Sequence, residues 1–123
     1  MTQLYWERLV ALVSPATSRT LGDVRLEYKH FFSGAAVYAN GRIFISLTPV
    51  GFGIKLPEQS RIALLKHNGA RQLRYFPDGP IKKDYVVLPD SMLKDRRSLR
   101  HWIRVSIEYV LTRPRPDSRP RGK

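Results

Sequence analysis

Phe31-Phe32-Ser33-Gly34-Ala35-Ala36-Val37-Tyr38-Ala39-Asn40-Gly41-Arg42-Ile43-Phe44-Ile45-Ser46-Leu47 is the stretch that decides the fold. Apolar and β-branched runs flank Asn40-Gly41, and both turn residues tolerate the positive φ of a type I′ turn, so the stretch predicts a β-hairpin. On its N-terminal side Val24, Leu26 and Tyr28 alternate with Arg25, Glu27 and Lys29, the pattern of a half-buried strand. On its C-terminal side Thr48-Pro49-Val50-Gly51 predicts a second reversal, after which Phe52, Ile54 and Leu56 point one way and Gly53 and Lys55 the other. Two further strands are expected at 73–76 and 85–88, separated by the loop Pro77-Asp78-Gly79-Pro80 and stopped by Pro89.

Helical periodicity lies at both ends. Thr2 is placed to cap a helix reaching Val13, with Trp6, Leu9, Val10 and Val13 on one face and Ser14-Pro15 as its stop. Pro57 and Glu58 open a middle helix, which Gly69 closes in the left-handed conformation. Asp95 caps a terminal helix whose Leu99, Trp102, Ile103, Ser106, Ile107 and Val110 share one face, opposite Arg97, Arg100, His101 and Arg104. Helix, hairpin-joined strands, then helices gives an α+β fold: an antiparallel sheet of four to six strands flanked by N-terminal and C-terminal helices.

With 123 residues the chain fits one domain, assigned to 1–112, and a core of useful size needs no metal or disulfide staple. The remaining segment, 113–123, carries three prolines, a net charge of +4 and no large apolar side chain, so an extended, disordered basic tail is expected there. There is no cysteine, which excludes disulfides, thiolate zinc sites and a cysteine nucleophile. No apolar run approaches the ~20 residues of a membrane span, and the expected location is cytoplasmic.

Chain order now carries a resemblance. Lys29-His30-Phe31-Phe32-Ser33-Gly34-Ala35-Ala36-Val37-Tyr38, then Asn40-Gly41-Arg42-Ile43-Phe44, Gly53-Ile54-Lys55-Leu56, Asp84-Tyr85-Val86-Val87-Leu88-Pro89 and the helix bearing Trp102 and Ser106 resemble the N-terminal domain of the TfoX/Sxy family of bacterial competence regulators. Ser33 stands where that family's Met-Phe-Gly-Gly pattern has its first glycine. The resemblance implies a helix, antiparallel sheet, helix domain with a regulatory or interaction role and no known active site. Full-length competence regulators also carry a C-terminal helical domain, for which a chain of this length has no room.

The residue inventory argues against catalysis. His30, His67 and His101 fall on separate elements without a second ligand at helical spacing, so no metal site is expected. Ser33 and Ser46 lie outside any nucleophile elbow, and Gly51-Phe52-Gly53 lacks the third glycine and following helix of a phosphate loop. No enzyme and no cofactor is expected.

Charge is the remaining signal. The formal net charge is +12, of which +7 falls in residues 94–123. Arg97, Arg100 and Arg104 recur at helical spacing, and Arg113, Arg115, Arg119, Arg121 and Lys123 extend the positive field, a set suited to phosphate oxygens without base readout. Lys55 is a further anion-contact candidate, although strand alternation alone would also turn it to solvent. Two readings result: a regulatory module binding a protein partner or its own copy in transcriptional regulation, and a nonspecific nucleic-acid accessory protein working through the late arginines.

Overall fold

A computed structural model describes residues 2–17, 23–31, 34–66, 69–76 and 78–112. Asn40 (φ 50°) and Gly41 (φ 83°) adopt the positive φ values of the predicted turn and join β2 (Gly34–Ala39) to β3 (Arg42–Thr48). The Asn40 side chain also accepts a hydrogen bond from the Arg25 N–H at 2.8 Å, locking the turn onto β1 (Leu26–Phe31). Gly51, at φ 122°, closes the second reversal into β4 (Gly51–Lys55). With β5 (Arg71–Leu73) and β6 (Lys82–Leu88) these strands form one six-stranded sheet, ordered β1-β2-β3-β4-β6-β5 and antiparallel throughout. Its single sheet is the α+β architecture expected, at the upper end of the strand count.

One face of the sheet is the core. Register stacks Ala35, Leu47, Phe52 and Leu88 in one row and Val37, Ile45, Ile54 and Val86 in the next, and all are buried. Leu9 and Val13 of α1 (Thr2–Thr17) and Leu99, Ile103, Ile107 and Val110 of α4 (Arg96–Leu111) pack onto these rows. α2 (Glu58–Leu65) adds Leu64 to the same cluster, and the Arg61 guanidinium donates to the Lys83 carbonyl of β6. A β-bulge at Val37/Tyr38 spends one extra residue on β3, which lets consecutive Phe44 and Ile45 both be fully buried in this core.

Several boundaries depart from the sequence reading. α1 continues through Pro15 to Thr17 instead of stopping at Ser14. A proline removes the bond to the carbonyl four residues back, here that of Ala11, and Ala11 is exposed, so that carbonyl is not left in the core. The buried Thr17 hydroxyl then donates to the Val13 carbonyl at 3.0 Å and holds the last turn. β5 is shorter and earlier than expected, while β6 begins at Lys82. A register shift between Gln72 and Leu73 moves the partner of Leu73 to Lys82, and the Leu73 side chain lies over Gly53 on the sheet. A one-turn α3 (Asp90–Leu93), entered from Pro89, precedes α4.

Among the described residues the helices cover one face, and strand-flanking side chains partly close the other. Ala36, Ser46 and Gly53 form a strip of small residues across the centre of that outer face, all buried. Leu73 lies on Gly53, where a Cβ would sit 2.9 Å from its Cδ2, and the Tyr75 hydroxyl meets the Ser46 Oγ at 2.8 Å.

Candidate interaction surface

α4 presents the basic face that the sequence predicts. Its start is fixed by Asp95, whose carboxylate accepts from the N–H groups of Ser98 and Arg97 and from the Ser98 hydroxyl at 3.0 Å. These bonds, led by the Ser98 N–H, hold the Asp95 carboxyl below the usual carboxylate range. Ser106, buried in the opposite face, donates to the Lys55 carbonyl at 2.6 Å and pins the helix to β4. With that face down, Arg97, Arg100, His101 and Arg104 are all exposed.

The arginines divide once the neighbouring helix is in place. Arg96, Arg100 and Arg104 follow one another at four-residue steps along the seam between α1 and α4. Arg97 lies further round the helix at 100° per residue. Above the seam, Leu12, Pro15, Ala16, Leu93 and Leu99 make the apolar floor of an open groove of about 330 Å³, and Lys94, Arg96 and Arg100 make its basic rim. A smaller hollow of about 240 Å³ follows, lined by Thr17, Val24, Ile107 and Leu111 with Arg104 and Glu108 at its edge. Lys94 and Arg96 were not among the residues singled out from sequence. The four-residue repeat Arg96, Arg100, Arg104 was the available signal, and the groove itself was not legible because α1 lies far off in the chain.

Lys55 does not join this surface. It sits on the outer face of the sheet, opposite the helices, half-buried with its ammonium 5.4 Å from the centre of the Tyr85 ring. Lys29 lies over Tyr38 and Lys82 over Tyr75 in the same manner, at 4.8 Å and 6.0 Å. Burial pushes the Tyr85 phenol far above the ordinary tyrosine range, and nearby Tyr75, Tyr38 and Asp84 push it the same way. The outer face is therefore a neutral phenol cluster edged by lysines. This is the arrangement expected of a lysine whose stem covers aromatic surface.

His30 packs on Trp6 with ring centres 4.8 Å apart, and His101 on Trp102 at 4.6 Å. Among the described residues no group of three or more His, Cys, Asp or Glu could hold a metal ion, and no helix is long and apolar enough to cross a membrane. Arg113, Arg115, Arg119, Arg121 and Lys123 lie outside the described residues, as do His67 and Ser33.

The sequence model of one protein family, the TfoX N-terminal domain, matches residues 19–110. No curated protein and no solved structure matches the chain. The family match spans most of the 123 residues, and the chain belongs to the TfoX N-terminal domain family, which is linked in general to competence regulation.

Proposed function

We propose that this member of the TfoX N-terminal domain family is a non-enzymatic regulatory module that acts in transcriptional regulation by binding a protein partner. The observation that carries the reading is the groove between α1 and the α3–α4 corner. An apolar floor gives a partner side chain somewhere to be desolvated, and Lys94, Arg96 and Arg100 along its rim select an acidic segment around that anchor. Such rim charges act mainly on encounter rate and choice of partner, whereas the buried anchor supplies most of the affinity.

The test is capture from a nuclease-treated lysate, with the full chain as bait, beside a bait carrying Arg96→Glu and Arg100→Glu. Both positions are exposed, so the fold should survive, as circular dichroism would verify. A partner that resists nuclease, is lost on charge reversal, and rebinds as a purified protein is the expected result. Failure to retain any nuclease-resistant partner would overturn the reading.

The exposure of Arg97, Arg100 and Arg104 together with Lys94 and Arg96 also supports a second reading, sequence-independent binding to nucleic acid. Retardation of duplex DNA would then weaken steeply between about 50 and 200 mM salt. Reversal of Arg100 and Arg104 would flatten that slope, and salt-independent or absent binding would remove the reading.

A further inference from the structure

β1 ends the sheet with a full-length strand that no described strand covers on its outer side. The opposite edge, β5, is only three residues long and broken by a register shift, the usual way of blunting an edge. β1 has neither proline nor bulge across Leu26–Phe31.

The direction of its backbone groups follows from the turn. The Asn40 N–H donates to the Arg25 carbonyl at 2.9 Å, so Arg25 faces β2. In an antiparallel ladder the facing residues alternate, so Glu27, Lys29 and Phe31 also face β2, whereas Leu26, Tyr28 and His30 turn their N–H and C=O groups outward. Side chains alternate too. Tyr28 and His30 lie on the helix face against Trp6, and the exposed Glu27 and Lys29 lie on the outer face.

We infer that β1 is a self-association edge, on which a second copy of this chain pairs antiparallel about a two-fold axis through Tyr28. This goes beyond the groove reading and uses a different surface. Outward-facing residues must meet outward-facing residues, which leaves few symmetric registers. An axis at Glu27 sets Glu27 against itself, and an axis at Lys29 sets Lys29 against itself, both repulsive. The axis at Tyr28 pairs Leu26 with His30 by backbone bonds on either side of a Tyr28–Tyr28 pair. It also sets each Glu27 against the Lys29 of the other copy, in the closer, non-hydrogen-bonded positions. Two opposite charges two residues apart thus favour this register over the two beside it, while the half-buried Trp6 and Tyr28 gain cover.

Sedimentation equilibrium of the full chain against concentration tests the inference. A reversible dimer is expected. Glu27→Lys or Lys29→Glu alone turns both charge pairs repulsive and should raise the dimer dissociation constant at least about tenfold, and the double exchange should restore it. His30→Pro removes an outward N–H at an exposed edge position, where proline is tolerated, and should give a folded monomer. Strict monomer behaviour of the unmodified chain up to millimolar concentration would overturn the inference. So would a dimer indifferent to all of these changes, or single reversals that the double exchange fails to rescue.

Discussion

Replacing Gly34 by alanine tests whether the β2–β3 pairing depends on a backbone contact that no side chain can relieve. A Cβ at Gly34 would stand 2.0 Å from the Leu47 carbonyl oxygen and 2.8 Å from the Thr48 Cα, against the roughly 3.5 Å of an ordinary contact. Every one of those atoms is backbone, so the strands themselves must part. The cost combines overpacking, at about 1–3 kcal/mol, with weakened ladder bonds at about 1 kcal/mol each, offset by about 0.5 kcal/mol from a stiffer unfolded chain. The net expectation is a loss of about 3 kcal/mol, or roughly 12 °C in Tm at about 4 °C per kcal/mol. Gly53 is the internal control. There an added Cβ meets the Leu73 methyl at 2.9 Å and the Ser46 hydroxyl at 3.5 Å, both side-chain atoms that can yield, so Gly53→Ala should cost at most about 1 kcal/mol. Urea unfolding followed by tryptophan fluorescence, with slopes unchanged, measures both. A Gly34→Ala protein within 1 kcal/mol of the parent on that ~3 kcal/mol scale, or a Gly53→Ala loss just as large, would refute the argument.

Three other outcomes follow from particular contacts. Ser106→Ala leaves the Lys55 carbonyl without its 2.6 Å donor inside the helix–sheet interface and should cost about 1–3 kcal/mol by urea unfolding; no loss would mean that water or a shifted helix serves that oxygen. Asn40→Ala places a Cβ-bearing residue without the Arg25 bond at φ 50° and should cost about 2 kcal/mol, with Asn40→Gly recovering about half, and equal losses would contradict the assignment to conformation. Burial raises the phenol pKa of Tyr28, Tyr38, Tyr75 and Tyr85, so their protonated form is favoured in the folded chain. Stability from these groups is complete below about pH 10 and is lost as pH rises above it, so phenolate absorbance should lag behind that of the urea-unfolded chain. Coincident titration curves would count against the burial of these phenols.

What could be read directly from the chain is what local chemistry decides. Asn40-Gly41 and Asp95 needed only their immediate neighbours, and both turn and cap stand where expected. Pro15 misled because its conflict lies with one carbonyl, and the exposure of Ala11 depends on what α1 packs against. β5 misled for a similar reason: the apolar residues from Leu73 onward look like a strand, yet Leu73 and Tyr75 spend their apolar surface on the far side of the sheet, over Gly53 and Ser46. Lys55 and the arginines look alike as positive residues in sequence. A sheet separates them, and only the groove, built from residues more than seventy positions apart, shows which cations act together.

α1 touches both proposed surfaces. Its Trp6 packs on Tyr28 and His30 beside the β1 edge, and its Leu12 and Ala16 line the groove. A signal passing through it from one surface to the other would therefore have to move this helix. Leu9 and Val13, fully buried against the sheet between those two regions, oppose such movement, because a close-packed core offers no second seating. Coupling needs a bistable element, and α1 is held as a fixed one. Glu27→Lys and Arg100→Glu should accordingly act independently. In the double variant, partner affinity measured on monomer and the dimer constant measured without partner should each match the single variants within about 0.5 kcal/mol. A larger discrepancy would mean that α1 has two seatings on the sheet.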